Sequence, residues 1–217
     1  KINTYTYVLG NADQYASVTA NYGKLTITQA PLTITADSAK KEYDGKALTD
    51  NGWQDTEPVG LKGTDAVESV TVTGTITNVG KKDNVASAAV VKNGDTDVTP
   101  NYDITYVNGV LEITKSSKPV VITSGNETWE YDGSDHSYAQ YTVKYGNDET
   151  ITGAEGQTEF TLSTGDKITV SDAASVKYVA DTADKNNTYT YVLGNADQYA
   201  SVTANYGKLT ITQAPLT

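Results

Sequence analysis

The sequence has no cysteine, no methionine and no arginine, and it contains only one phenylalanine and one histidine. Without cysteine the 217-residue chain forms no disulfide, has no thiol nucleophile and cannot bind zinc through sulfur. Its 16 basic side chains are all lysines and are outnumbered by 27 acidic ones, giving a net charge of −11. Nucleic-acid affinity requires clustered cations that displace counterions from phosphates, so we predict no nucleic-acid partner.

Long hydrophobic runs are also missing. No stretch of 18 apolar residues occurs, and no signal-peptide pattern begins at Lys1, which predicts a mature or excised segment without membrane contact. Leu, Ile, Val and Phe number only 42, a level at which charged sequences are often disordered. The 16 tyrosines supply large buryable side chains, and Thr alternates with Val over long stretches, so we predict a folded chain instead.

A long exact repeat dominates the sequence. Residues 3–33 are identical to residues 187–217, at an offset of 184 residues. Identity over such a length indicates tandem units in a longer parent protein.

A weaker and shorter period lies inside the long one and predicts the domain boundaries. We predict that residues 1–30 are the C-terminal portion of a preceding B-type module. Residues 31–115 then form module A, and residues 116–217 form module B with the start of the next repeat. Pro31 and Pro119 mark the two junctions, because proline ends strand pairing while keeping the chain extended. Residues 1–30 are expected to pack on module A or, alternatively, on a neighbouring molecule.

The apolar periodicity is that of strands. Leu32 and Ile34 alternate with threonine, as do Val70 and Val72, and residues 167–170 and 188–193 follow the same pattern. Residues 172–180 are the best candidate for a short helix, with an extended conformation as the alternative. We predict an all-β fold of two small modules, sandwich-like or β-grasp-like, arranged end to end as an elongated rod.

Each module is predicted to close with a β-hairpin. Asn108-Gly109 lies between two alternating runs, which is typical of a two-residue type I′ turn. That turn would place Tyr106 opposite Leu111 and Ile104 opposite Ile113. In module B, Gly207 would supply the turn and place Val202 opposite Ile211.

Catalytic chemistry finds little support in the residues. His136 is the only histidine and has no nucleophile motif beside it, and carboxylate pairs arise freely among 27 acids, so we predict no enzyme. No cofactor is expected. Calcium is the alternative, because some loops offer hard oxygen ligands, although none follows the twelve-residue loop pattern. These candidates are Asp95 with Asp97, Asp181 with Asp184, and Asn195 with Asp197.

Tyr-Asp-Gly occurs at residues 43–45 and again at residues 131–133. We interpret each as a strand ending in a buried tyrosine, followed by a turn in which the aspartate bonds to the local backbone. Trp129 shares a strand face with Tyr131, which favours the core, whereas Trp53 lies in a polar loop. Trp53 is therefore the candidate ligand-binding residue, able to stack on a sugar ring.

These Tyr-Asp-Gly motifs, together with NYDITYVNGVLEIT at residues 101–114, carry a family resemblance. The sequence resembles the MBG and YDG repeat modules of large bacterial surface adhesins, and the resemblance covers nearly the whole chain. Module B departs from the pattern, with Asn205-Tyr206-Gly207 in place of the Asn-Gly turn. The resemblance implies an extracellular, cell-wall-attached protein, often from Gram-positive bacteria.

The resemblance further implies a structural stalk or spacer that projects a binding domain. In the alternative interpretation the repeats themselves bind host or environmental glycans or mucin, with avidity from repetition. The partners expected are neighbouring repeats of the same chain, and glycans or host surface proteins.

Overall fold

The computed structural model describes residues 1–54 and 59–216. Strands contain 48% of the residues and helical turns 6%, and no helix among the described residues reaches seven residues. The predicted all-β class is confirmed. Thr217, the last residue of the exact repeat, and Asp55, in the polar loop after Trp53, lie outside the described residues.

Twenty strands and four short 3-10 turns make up the described chain. The strands are β1 (Ile2–Asn3), β2 (Gly23–Lys24), β3 (Ala30–Thr35), β4 (Ala39–Glu42), β5 (Ala66–Thr73), β6 (Gly80–Asn93), β7 (Thr96–Asp97), β8 (Tyr102–Val107), β9 (Gly109–Thr114), β10 (Val120–Ser124), β11 (Glu127–Glu130), β12 (His136–Ser137), β13 (Tyr141–Tyr145), β14 (Glu149–Thr152), β15 (Glu159–Thr161), β16 (Lys167–Ser171), β17 (Ser175–Val176), β18 (Thr190–Leu193), β19 (Val202–Asn205) and β20 (Leu209–Thr212). The 3-10 turns are Ala12–Gln14, Thr99–Asn101, Val179–Asp181 and Ala196–Gln198.

The chain divides into two compact units. Unit 1 comprises Lys1–Thr35, Trp53–Thr71 and Ala86–Val107, and unit 2 comprises Ala36–Gly52, Val72–Val85 and Asn108–Thr217. The units are defined by spatial contacts, whereas the predicted modules are defined by sequence repetition, and the two divisions differ.

In unit 1, β3 pairs in parallel with β8, from Ala30 opposite Tyr102 to Thr35 opposite Val107. Leu32 and Ile34 point to one side of β3 and are almost fully buried, as their alternation with threonine predicts. The other buried apolar residues of unit 1 are Ala86, Ala89, Val91 and Tyr102.

Unit 2 contains the larger core. Its four-stranded sheet has the order β14-β13-β10-β19, in which only the β10–β19 pair is parallel. A three-stranded antiparallel sheet, β15-β16-β18, includes the strand predicted at residues 167–170. The core consists of Tyr43, Ile113, Val120, Ile122, Tyr141, Val143, Tyr145, Phe160, Leu162, Ile168, Val170, Tyr189, Leu193 and Tyr199.

The predicted helix at residues 172–180 does not form. Asp172 has a left-handed φ of 56°, Ser175–Val176 is strand β17, and only Val179–Asp181 makes a 3-10 turn. The extended alternative is correct for the middle of this segment.

Both predicted closing hairpins are wrong. Strand β8 pairs in parallel with β3, whereas β9 pairs in parallel with β4 and antiparallel with β6. Tyr106 is therefore opposite Ile34 and not Leu111, and Ile104 is opposite Leu32 and not Ile113. In the second case β19 pairs with β10 and β20 pairs with β11, so Val202 lies opposite Val120 and Ile211 opposite Trp129.

The physical reason lies in what the glycines do. Asn108, Gly109 and Gly207 are not among the residues with positive φ in the described chain, so the conformation that a type I′ turn requires is absent there. A Cβ on Gly109 would instead overlap the carbonyl oxygen of Asp37, and a Cβ on Gly207 would overlap that of Gly125. Glycine is required at both positions for a close backbone approach.

Candidate functional site

The first and last strands of the predicted module B lie side by side, and we call this pairing the terminal-strand ladder. It consists of β10 with β19, from Val120 opposite Val202 to Thr123 opposite Asn205, and of β11 with β20, from Glu127 opposite Leu209 to Glu130 opposite Thr212. Both pairs are parallel and share one register, because the partners differ by 82 residues in each. The chain therefore enters module B at one end of the ladder and leaves at the other.

Between its two halves the ladder is interrupted by polar side chains that replace backbone pairing. The Ser124 hydroxyl donates to the Asn187 carbonyl at 2.6 Å and accepts from the Gly207 amide at 2.9 Å. The Asn187 side-chain amide donates to the carbonyls of Gly125, at 2.9 Å, and Tyr138, at 3.0 Å. These bonds satisfy buried backbone groups that the interruption would leave unpaired.

A similar interruption occurs at the boundary of β4 and β9. There the buried Asn84 side chain donates to the Asp37 carbonyl at 2.9 Å, and Gly109 passes close to the same carbonyl. Strands β4 and β9 are parallel, with Ala39 opposite Leu111. A buried asparagine and a glycine thus mark the equivalent point in both predicted modules.

A second polar cluster is centred on the buried carboxyl group of Asp166. It accepts hydrogen bonds from the Tyr199 hydroxyl at 2.6 Å, the Tyr43 hydroxyl at 2.9 Å and the Asn195 amide at 2.7 Å. Thr164 donates to the same carboxyl at 3.2 Å. The rings of Tyr43 and Tyr199 meet edge to face with centroids 5.7 Å apart. The cluster ties the first Tyr-Asp-Gly motif to the core of unit 2.

This cluster predicts a loss of stability at alkaline pH. Burial, and then the hydrogen bond to Asp166, raises the pKa of Tyr43 to about 12, and burial also raises the pKa of Tyr199 and Tyr189. An unfolded tyrosine releases its proton near pH 10. Between about pH 10 and 12 the unfolded state therefore binds fewer protons than the folded state, and the free energy of unfolding falls as pH rises. Urea unfolding from pH 7 to 12 measures this fall.

The control for the alkaline transition is Tyr43→Phe, which removes one of these hydroxyls. The variant should be less stable at pH 7 but lose stability less steeply between about pH 10 and 12. A wild-type chain whose midpoint denaturant concentration stays constant up to pH 12 would contradict this interpretation.

The predicted aromatic ligand residues are placed differently from expectation. Trp53, predicted to be exposed, is partly buried. Trp129, predicted to be core, is also only partly buried, and its ring stacks on His136 with centroids 5.0 Å apart. His136 lies 2.9 Å from the carboxylate of Asp132, so the histidine has a partner within its own loop.

The two Tyr-Asp-Gly motifs confirm the turn prediction and correct the burial prediction. Asp44 accepts from the backbone amide of Lys46 at 2.9 Å, and Asp132 accepts from that of Ser134 at 2.8 Å. Each following glycine has positive φ. Tyr43 is buried as predicted, but Tyr131 is exposed, because it stacks on the exposed Tyr178 and has no buried partner like Asp166.

The calcium candidates have partners within the protein. Asp97 accepts from the Thr99 amide, Asp181 accepts from the amides of Lys177 and Tyr178, and Asp184 pairs with Lys208. Asn195 donates to Asp166. Across the described ranges, 1–54 and 59–216, no group of three or more His, Asp or Glu side chains is arranged to hold a metal ion.

Sequence reasoning missed Asp166 and the buried asparagines. Asp166 follows a glycine in Gly165-Asp166-Lys167, a pattern indistinguishable from the other exposed acidic turns. The recurring signal for Asn187 is its position within the exact repeat, which does not reveal burial.

No family model, no curated protein and no solved structure matches this chain. Within the described residues no helix has both the length and the apolar character needed to cross a membrane.

Proposed function

We propose that this chain is a tandem-repeat structural segment of a bacterial surface adhesin, a stalk or spacer that projects a binding domain from the cell wall. The exact repeat at residues 3–33 and 187–217 and the family resemblance of the Tyr-Asp-Gly motifs support this proposal. The proposal places the chain outside the cell, on a wall-attached protein, with neighbouring repeats as its partners.

The observation that carries the proposal is the parallel terminal-strand ladder. A stalk transmits tension through each module from its first strand to its last. Because these strands are parallel neighbours, tension applied at residues 118 and 213 pulls them in opposite directions along their lengths. The hydrogen bonds of the ladder are then strained together in shear rather than broken one by one.

Solution scattering tests the arrangement expected of a stalk. We propose that the predicted modules follow each other as a rod, with proline at each junction. A compact globule of this length has a radius of gyration of about 17 Å. Small-angle scattering of the full chain should give a clearly larger value and an elongated distance distribution, whereas a value near that of the globule would contradict the rod.

Glycan binding is the second candidate function, and exposed aromatic surface favours it. Tyr131 and Tyr178 are both exposed and stack with their planes 27° apart, which presents flat aromatic surface to solvent. Trp53, the residue first predicted for this role, is partly buried. On a glycan array, concatenated repeats should bind reproducibly and lose binding with Tyr131→Ala, Tyr178→Ala or Trp53→Ala. Binding that survives all three substitutions would contradict aromatic stacking.

A further inference from the structure

The two copies of the exact repeat have the same sequence but very different surroundings. Ile27 is 98% exposed, whereas the equivalent Ile211 is 2% exposed. Leu25 is likewise exposed and Leu209 fully buried. The same contrast holds for Tyr5 and Tyr15 against Tyr189 and Tyr199. The first copy therefore presents to solvent a set of apolar side chains that the second copy buries.

The contrast is confined to one side of the segment. Val8 is 99% exposed, and its equivalent Val192 is still 71% exposed in the second copy. The repeated segment thus has a face that remains in water in both settings and a face that requires a partner.

The first copy already has the internal geometry of the second. Both copies form a 3-10 turn preceded by a left-handed asparagine, with φ of 56° at Asn11 and 55° at Asn195. The edge-to-face ring contact between Tyr5 and Tyr22 spans 5.6 Å, and its equivalent spans 5.3 Å. Asn3 pairs with Gly23 as Asn187 does with Gly207. Such preorganisation lowers the entropic cost of binding.

In the second copy the partner is a groove formed by residues 116–186 of the same module. Strands β10, β11 and β16 pair with the segment, and Ser124, Gly125 and Asn126 hydrogen-bond to it. In the first copy, the hydrogen bonds that residues 1–28 form within the described part of the chain are all internal to that segment.

We propose that residues 3–28 are a strand-donor segment, and that their partner is the groove of a second copy of this chain, the groove that residues 187–212 otherwise occupy. Binding in trans would repeat the contacts of the second copy, with Leu25 and Ile27 in the positions of Leu209 and Ile211. Such a head-to-tail contact joins molecules into chains or rings. Strand donation of this kind does not depend on the stalk role.

The intact chain should nevertheless be monomeric at micromolar concentration. Residues 187–212 have the same sequence as the donor but are tethered to their own groove, which gives them an effective concentration in the millimolar range. Trans binding becomes visible when the tethered copy is weakened. The full-length variant Leu209→Asp/Ile211→Asp does this without altering residues 3–28 or the groove.

Sedimentation of this double variant tests the proposal. We expect concentration-dependent species of at least twice the mass of the intact chain. Adding Ile27→Asp should return the protein to a monomer, whereas adding Val8→Asp should leave association unchanged. Ile27 and Val8 are equally exposed in the first copy, so only docking as in the second copy distinguishes them.

A labelled peptide of residues 1–30 gives a second measurement if the double variant folds poorly by itself. The peptide should bind the variant and restore its folded circular-dichroism signal. The Ile27→Asp peptide should bind about tenfold more weakly or worse, because a charge would be buried, and the Val8→Asp peptide should bind normally. The proposal is overturned if the wild-type peptide does not bind, or if association and peptide binding are the same with Ile27→Asp and Val8→Asp.

Discussion

Gly207→Ala is expected to lower the free energy of unfolding of unit 2 by about 3 kcal/mol or more. The added Cβ would overlap the Gly125 carbonyl oxygen and lie 2.6 Å from the Ser124 carbonyl oxygen. All of these are backbone atoms of the terminal-strand ladder, so they cannot rotate away as a side chain would. The ladder must separate locally, and the Gly207 amide then loses its bond to Ser124. Urea denaturation followed by tyrosine fluorescence measures the change.

Gly194→Ala is the matched control for this prediction. It lies in the same module, and its Cβ would find its nearest neighbour, the Lys167 carbonyl oxygen, at an ordinary contact distance of 3.6 Å. We expect a change within about 0.5 kcal/mol. Gly109→Ala should resemble Gly207→Ala, because its Cβ would overlap the Asp37 carbonyl. Equal effects of Gly207→Ala and Gly194→Ala would show that the close approach is wrong.

Asp166→Ala is expected to cost about 3 kcal/mol or more, because it leaves several buried donors without their acceptor. The hydroxyls of Tyr43 and Tyr199 and the amide of Asn195 all donate to this carboxyl. Solvent cannot readily replace it, since Asp166 and both tyrosines are buried. Thermal and urea unfolding of the variant measure the loss.

The control for Asp166 is Asp184→Ala, which removes an exposed carboxylate 3.0 Å from the Lys208 ammonium. An exposed ion pair of this kind contributes at most about 1 kcal/mol. A further variant, Asp166→Asn, keeps the size of the side chain and one carbonyl acceptor, and should lose less than Asp166→Ala. If Asp166→Ala were no more harmful than Asp184→Ala, the cluster would have no role in holding unit 2 together.

The sequence predicts those parts of the fold that local patterns determine. Alternating Leu32 and Ile34 identify a strand with one buried face, and Asp-Gly after a tyrosine identifies a turn with positive φ. The 3-10 turn with its left-handed asparagine forms in both copies of the exact repeat, so it too is determined locally.

Strand pairing could not be predicted, because it depends on residues far apart in the chain. An Asn-Gly pair between alternating runs suggests a hairpin, yet glycine is favoured both by positive φ and by close backbone approach. At Gly109 and Gly207 the second reason applies. The parallel partners of these strands are 72 and 82 residues away, and no local periodicity encodes such a register.

Burial has the same limitation. The 31 residues of the exact repeat are exposed in one copy and buried in the other, so their sequence alone cannot decide the outcome. Tyr43 and Tyr131 occupy the same motif, but only Tyr43 meets a buried acceptor, Asp166. The candidate sites follow from these distant partners and not from the motifs themselves.

Single-molecule pulling in two directions tests most directly whether module B is built to resist tension. The chain has no natural cysteine, so pairs of engineered cysteines give unique attachment points. Lys118→Cys with Gln213→Cys applies force along the terminal-strand ladder from opposite ends. Lys118→Cys with Ser201→Cys applies force at one end, and all three positions are exposed.

We expect a much higher unfolding force for the Lys118 and Gln213 pair, because shear must break the ladder bonds together, whereas the Lys118 and Ser201 pair opens them in sequence. Equal forces in the two directions, or a lower force along the ladder, would contradict the structural role proposed for this module.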